Sequence, residues 1–93
     1  MEKEKTVYVL ITGRVQGVSF RYGCRRVAVD SDVSGFVRNL KNGQVEAVLR
    51  GKPENVERVI AWCHEGTDDA IVDDVYVEPH ESDELFGVFT IRH

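Results

Sequence analysis

The spacing of apolar positions changes several times along the chain, and each change marks a predicted element. Stretches rich in Val, Ile, Thr and Tyr, or alternating apolar with polar residues, predict strands, whereas apolar residues three and four apart predict helices. The predicted strands cover residues 6–13, 33–40, 44–51, 70–79 and 86–93, and the predicted helices cover residues 22–31 and 52–66. The element order is therefore β-α-β-β-α-β followed by a short terminal strand.

The second predicted helix and the turn before the third strand carry the clearest local signals. Pro53 suits the first helical turn and Gly66 suits the helix end. The apolar stripe between them consists of Val56, Val59, Ile60 and Cys63. Asn42-Gly43 predicts a tight hairpin between the second and third strands, with positive φ at both central residues.

The element order predicts an α+β protein with the ferredoxin-like α/β sandwich, in which an antiparallel sheet carries two helices on one face. The 93 residues suit one domain spanning residues 1–93. In this topology the main strands lie in the order 4-1-3-2, and strands 1 and 2 run parallel on either side of strand 3. Their C-terminal ends share one sheet edge, so residues 13–21 are expected close to residues 38–40.

The charge of the chain limits the classes of ligand that it is expected to bind. The formal net charge is -4, which argues against a nucleic-acid binder or a protein of anionic membranes. The third strand also lacks the aromatic side chains on which RNA-binding domains of the same element order stack bases. Basic residues concentrate in the first half, at Arg14, Arg21, Arg25, Arg26, Arg38, Lys41, Arg50 and Lys52. This asymmetry favours a small anionic ligand, whereas the acidic last third is interpreted as a solvated surface without a metal site.

The remaining composition indicates a cytoplasmic protein, because no signal peptide or transmembrane span is recognisable. The two cysteines lie in different predicted helices, which run antiparallel on one face. A disulfide between Cys24 and Cys63 is therefore geometrically conceivable, but two buried thiols are favoured in a reducing compartment. His64, His80 and His93 lack metal-ligand spacing and are interpreted as surface or helix-end residues.

The most informative segment is GRVQGVSFR, residues 13–21, where the first strand turns into the first helix. Glycines let such a loop bring its backbone close to a ligand, and the helix start adds unpaired N–H groups with a partial positive charge. Arg21 adds a planar fork that suits two phosphate oxygens. The spacing matches neither the P-loop nor the dinucleotide-binding pattern. On pattern alone, an anion site is possible and a purely structural turn is the commoner interpretation.

GRVQGVSFR closely resembles the signature of the acylphosphatase family, and GFVRNLKNGQVE, residues 35–46, resembles that family's second motif. FTI, residues 89–91, is similar to its usual ending. The resemblance covers nearly the whole chain and implies the same fold as the element order. It implies hydrolysis of the carboxyl–phosphate bond of acyl phosphates without a metal ion, and no other cofactor is expected. We expect a monomer whose partner is the small-molecule substrate.

The resemblance also implies roles for individual residues. Arg21 corresponds to the arginine that binds the phosphoryl group, and Asn39 corresponds to the asparagine that holds the attacking water. The loop whose backbone N–H groups surround the phosphate oxygens corresponds to Val15, Gln16, Gly17, Val18, Ser19 and Phe20. No Ser-His-Asp arrangement is visible, so Ser19 is not expected to act as a nucleophile.

Other positions carry weaker expectations. Arg14 and Arg38 are interpreted as solvated surface residues, and Gln16 is expected to shape the loop. Asp32 stands where the first helix of the family commonly ends with glycine, so this helix end is expected to be less stable. Thr67 replaces the family's usual proline after the second helix. A non-catalytic or carbamoyl-phosphate-handling binding module of the same fold is the alternative function.

Overall fold

The computed structural model describes residues 3–93, and each predicted element is present in it. The elements are β1 (Lys5–Arg14), α1 (Phe20–Asp30), β2 (Ser34–Asn39), β3 (Val45–Gly51), α2 (Pro53–Glu65), β4 (Ile71–Pro79) and β5 (Thr90–Arg92). Helix α1 begins two residues earlier than predicted, and β5 is shorter than predicted. None of the helices in residues 3–93 is long and apolar enough to cross a membrane.

The strands form one sheet in the order β4-β1-β3-β2-β5. Pairing is antiparallel between β1 and β3, β1 and β4, and β2 and β3, which confirms the predicted order of the four main strands. The terminal strand departs from the antiparallel expectation, because β5 runs parallel to β2 and makes the sheet mixed. The reason is the path of residues 80–89, which cross from β4 at one edge of the sheet to the opposite edge. The fold is thus a ferredoxin-like α+β sandwich with a fifth strand.

The core lies between the sheet and the two helices. Strand β1 contributes Val7, Val9 and Ile11 at every second position, as the period of a strand requires. From α2, the predicted apolar stripe Val56, Val59, Ile60 and Cys63 is buried. Each fully buried large apolar side chain stabilises the fold by about 1.5–3 kcal/mol.

The two helices pack closely at Gly23. A Cβ on this residue would lie 2.5 Å from the Trp62 ring of α2, closer than van der Waals contact allows. The Trp62 ring also packs at 5.0 Å between centroids against Phe20, at the start of α1. The glycine that lowers the helix propensity of α1 therefore lets α2 approach it.

The other face of β3 is also buried, which the alternating pattern does not anticipate. Glu46 is only 8% exposed and is bound by two partners from neighbouring strands. Tyr8 Oη donates to Glu46 Oε1 at 2.8 Å, and Arg38 Nε donates to Glu46 Oε2 at 2.8 Å. Arg38 is exposed, as interpreted from the sequence, and it also forms an ion pair with Glu46 across the sheet, which the sequence did not predict. Burial, together with the Glu46 hydrogen bond, raises the pKa of Tyr8 to about 12.

Residues 80–89 are held against this second face by two arginines. Arg50 Nη1 donates to the Glu84 carbonyl oxygen at 3.0 Å, and the Arg50 guanidinium lies 4.8 Å from the centroid of the Phe86 ring. Arg92 forms an ion pair with the Glu84 carboxylate and stacks 3.8 Å over the centroid of the Phe36 ring. These contacts fix where β5 joins the sheet and hence where the chain after it lies.

The hairpin between β2 and β3 differs from the prediction. Leu40 N donates to the Gln44 carbonyl at 2.8 Å, and Gly43 N donates to the Leu40 carbonyl at 3.2 Å. Gly43 has φ 95°, whereas Asn42 does not have positive φ. The expectation of positive φ at both residues is wrong, because the connection has three residues between Leu40 and Gln44, and such loops need a left-handed residue only at their last position.

Candidate active site

A cleft of about 280 Å³ lies where β1 turns into α1. Its lining residues are Val15, Gly17, Ser19, Phe20, Arg21, Tyr22 and Asn39. Both Arg21 and Asn39 therefore line the same cleft, although 18 positions of sequence separate them. The reason is topological, since β1 and β2 run parallel on either side of β3 and end at the same edge of the sheet. The predicted proximity of residues 13–21 and 38–40 is confirmed.

The loop between β1 and α1 combines two left-handed residues. Gly17 has φ 75°, and a Cβ on it would meet nothing within 4 Å, so its backbone borders open space. Ser19 has φ 62° and ψ 24°, a conformation that is unfavourable for a residue with a Cβ. Helix α1 begins directly after Ser19, and its first turn contains no acidic residue. The unpaired N–H groups of that turn lie beside the cleft, where an anion can accept from them.

The side chains of Gln16 and Val18 do not line the cleft but hold the loop in place. Gln16 Nε2 donates to the Leu40 carbonyl at 2.7 Å and to the Gln44 carbonyl at 2.9 Å. Gln16 thus ties the loop to the hairpin that follows Asn39, which agrees with its expected role in shaping the loop. Val18 is buried in the core, and its carbonyl accepts from Thr67 Oγ1 at 2.6 Å.

Asn39 carries an unusual polar atom. Its Oδ1 is buried and has no hydrogen-bond partner, and no other buried side-chain N or O atom among residues 3–93 is left in this condition. A buried acceptor without a partner is costly, so native proteins pair nearly all of them. Asn39 lines the cleft, so a rotation of its side chain that exposes Oδ1 would let this atom accept a hydrogen bond from a bound molecule.

Arg21 extends from the first turn of α1 with its guanidinium free of any carboxylate ion pair among residues 3–93. Its Nη1 lies 3.4 Å from His93 Nδ1. His93 is exposed, as expected of a surface residue, but sequence reasoning missed its contact with Arg21. The parallel register of β5 on β2 pairs Arg92 with Arg38, which places the next residues, His93 and Asn39, at the same edge.

Tyr22 was also missed by the sequence analysis. It is 60% exposed and stands at the mouth of the cleft. The sequence offers a weak signal for it, since the residues three and four positions after Tyr22 are arginines and not apolar partners.

The two cysteines are free and buried, as favoured from the sequence. A hydrogen bond with Cys63, together with burial, raises the pKa of the Cys24 thiol well above its ordinary value. Among residues 3–93, no group of three His, Cys, Asp or Glu side chains is placed to hold a metal ion. The polar groups at the cleft include the Arg21 guanidinium, the N–H groups at the start of α1 and the side-chain amide of Asn39.

Comparison with known proteins assigns this arrangement to a family. The family model for acylphosphatases matches residues 7–91. An acylphosphatase of Trichormus variabilis is 48% identical over 81 residues, covering 87% of this chain and 80% of the relative. A solved acylphosphatase from Coxiella burnetii superposes with a TM-score of 0.89 at 32% identity, covering 96% of this chain and 93% of the other. One from Bacillus subtilis has a TM-score of 0.91 at 27% identity, covering 98% and 100%.

The family model spans almost the whole sheet-and-helix unit, and both sequence motifs that resemble this family meet at one cleft. The chain therefore belongs to the acylphosphatase family of acyl phosphate hydrolases.

Proposed function

We propose that the chain hydrolyses acyl phosphates in the cleft between the β1–α1 loop and Asn39. The phosphoryl group lies against the backbone N–H groups of residues 15–20 and the start of α1, and Arg21 grips two of its oxygens. The observation that carries this proposal is that Arg21, Asn39 and the β1–α1 loop line one cleft.

Arg21 supplies electrostatic stabilisation in this mechanism. The transition state of phosphoryl transfer spreads negative charge over the equatorial oxygens, so positioned donors contribute most of the acceleration. A guanidinium offers paired donors in a planar fork and stays charged at any physiological pH. The absence of a carboxylate ion pair to Arg21 among residues 3–93 supports this role, because the guanidinium is available to an anionic substrate.

Asn39 holds the attacking water. Its Oδ1 accepts a hydrogen bond from the water, which orients a lone pair of the water towards phosphorus. An amide does not take the proton, and none of the residues lining the cleft carries a carboxylate. We therefore assign the proton to an oxygen of the substrate's own phosphoryl group. The departing carboxylate is a good leaving group and needs little general-acid help.

Hydrolysis of benzoyl phosphate tests the proposal. The wild type should turn over the substrate in the presence of EDTA. Arg21→Ala should lower kcat/KM by roughly 100- to 1000-fold and weaken competitive inhibition by inorganic phosphate. Asn39→Ala should lower kcat by a similar factor while phosphate inhibition persists, since the loop and Arg21 stay intact.

Arg26→Ala is the matched control, because Arg26 is an exposed residue of the same helix that does not line the cleft. Its kcat/KM should stay within about twofold of the wild type. An inactive wild type would overturn the hydrolytic function, whereas full activity of Arg21→Ala would overturn only the assignment of Arg21.

We also propose that residues 1–93 act as one domain and as a cytoplasmic monomer that does not bind nucleic acid. The net charge of -4 and the free thiols of Cys24 and Cys63 support this setting. Light scattering after size exclusion should give the mass of one chain, 10.5 kDa, and a dimer mass would overturn the monomer.

A further inference from the structure

A rim formed by Tyr22 and Arg25 continues the cleft along α1. Tyr22 lines the cleft, and the Arg25 guanidinium lies 5.6 Å from the centroid of the Tyr22 ring, within the range of a cation–π contact. Arg25 is exposed and lies one turn after Arg21. This Tyr22–Arg25 rim offers an aromatic face beside an available cation.

The position of Arg25 is unfavourable for the helix itself. Arg21 and Arg25 are like charges at i and i+4, which repel each other. The sequence has 16 acidic residues, yet no ion pair joins any of them to Arg25 within residues 3–93. The proposed phosphoryl site uses Arg21, whereas Arg25 contacts the Tyr22 ring and forms no ion pair among residues 3–93.

The size of the cleft indicates where the rest of the substrate goes. The phosphoryl group and its attacking water occupy the part between the loop and Asn39, and the whole cleft measures about 280 Å³. Tyr22 lines the same cleft, so an acyl chain that outgrows the remaining volume can leave along this side chain. Tyr22 is the large aromatic side chain exposed at the mouth of the cleft, so it offers the acyl carbons a surface.

We propose that the Tyr22–Arg25 rim is an acyl subsite that selects acyl phosphates carrying a second anionic group, such as a distal carboxylate. The acyl carbons pack on Tyr22, and Arg25 binds the distal anion through its planar fork. This inference rests on the proposed function and names the substrate class of the same site. A simple field effect is the competing explanation, in which Arg25 attracts every phosphate dianion equally.

The test compares three substrates that differ at one ring position, benzoyl phosphate and its 3-carboxy and 4-carboxy derivatives. Their rigid rings prevent the carboxylate from attacking the acyl phosphate internally. Values of kcat/KM are measured for the wild type, Arg25→Gln and the control Arg26→Gln, which removes an exposed charge of α1 outside the cleft lining. Dividing each variant by the wild type cancels the intrinsic reactivity of each substrate.

Arg25→Gln should lower kcat/KM about three- to tenfold for at least one carboxylated substrate and less than twofold for benzoyl phosphate. Arg26→Gln should change all three substrates equally. Tyr22→Ala should lower kcat/KM for all three benzoyl substrates more than for acetyl phosphate. Equal losses for all substrates in Arg25→Gln would overturn the subsite in favour of the field effect. A wild type inactive on all of them would instead overturn the proposed function.

Discussion

Helices α1 and α2 pack against each other, but the residues at the start of α2 favour a helix more than those at the start of α1. Helix α2 has Pro53 at its start, acidic Glu54 in its first turn and Gly66 at its end, all of which favour a helix. Neither helix start has a side-chain capping hydrogen bond, but α1 starts after a left-handed Ser19 and its first turn carries Arg21 with no acidic residue.

The comparison identifies the start of α1 as the less favourable of the two helix starts. At the start of α1, an uncapped and basic first turn leaves N–H groups and a guanidinium available to an anion, which an acidic cap would occupy. Local rules are commonly broken at functional sites and obeyed elsewhere. Helix α2 buries its apolar stripe in the core, and its Trp62 ring packs against Phe20 of α1.

The largest expected effect comes from exchanging the charges at the two helix starts. Arg21→Glu should lower kcat/KM for benzoyl phosphate by at least about 1000-fold, because the phosphoryl group loses its cation and meets a carboxylate. The same change should leave the free energy of unfolding in urea unchanged or raise it by up to about 1 kcal/mol. Glu54→Arg should lower the free energy of unfolding by about 0.5 kcal/mol and leave kcat/KM within about twofold of the wild type. A large stability loss in Arg21→Glu would show that this arginine holds the fold instead.

The second prediction concerns the thiols where the helices meet. Both thiols are buried, and the Cys63 hydrogen bond together with burial raises the pKa of Cys24. Because burial blocks access, both thiols should react with an aromatic disulfide reagent at pH 8 at least about 100-fold more slowly than in urea. A group whose pKa is raised by folding stabilises the fold below its unfolded pKa. This stabilisation should therefore fade as pH rises above about 8.5. Fast labelling of the native protein would contradict the buried pair.

A third prediction tests the closeness of the helices. Gly23→Ala should lower the free energy of unfolding by about 1–3 kcal/mol, because the new methyl group meets the Trp62 ring. Trp62 is the single tryptophan of the chain, so its fluorescence should shift in the same variant. Gly87→Ala is the matched control, since a Cβ there meets nothing within 4 Å, and it should be nearly neutral. Equal effects of the two substitutions would argue against tight packing at Gly23.

The smallest effects are expected at the two helix ends, with opposite signs. Asp32, which follows α1, has φ 57°, and Asp32→Gly should stabilise the fold by about 0.5–1 kcal/mol. Gly66 has φ 70° and packs against Phe20, so Gly66→Ala should destabilise it by about 1–2 kcal/mol. Thermal unfolding measures both. Neither residue lines the cleft, so activity at 25 °C should follow only the folded fraction.

Several features were predictable because their causes are local. The stripe on α2 and the element order follow from periodicity. The left-handed conformation at Asp32, where the family resemblance implies a glycine, is present in the structure, and its lower stability stays a prediction. The hairpin was predicted from the Asn42-Gly43 pair, but loop length, set by the pairing of Leu40 with Gln44, overrode the dipeptide signal.

Other features depend on contacts between distant segments. The ion pair of Arg38 with Glu46 arises because β2 and β3 bring them face to face. The crossing of residues 80–89 and the parallel register of β5 bring His93 to Arg21, and no short-range pattern encodes that register.

By itself, the sequence determined the order of elements, the position of the two motifs and the family they resemble, because periodicity, glycine placement and motif spacing act over a few residues. Only the tertiary structure decided that Asn39 Oδ1 is buried without a partner and that Tyr22 stands at the mouth of the cleft. Burial and orphaned hydrogen-bonding atoms are properties of packing between segments that meet in space, so they exist only once the sheet has brought the two strand ends together.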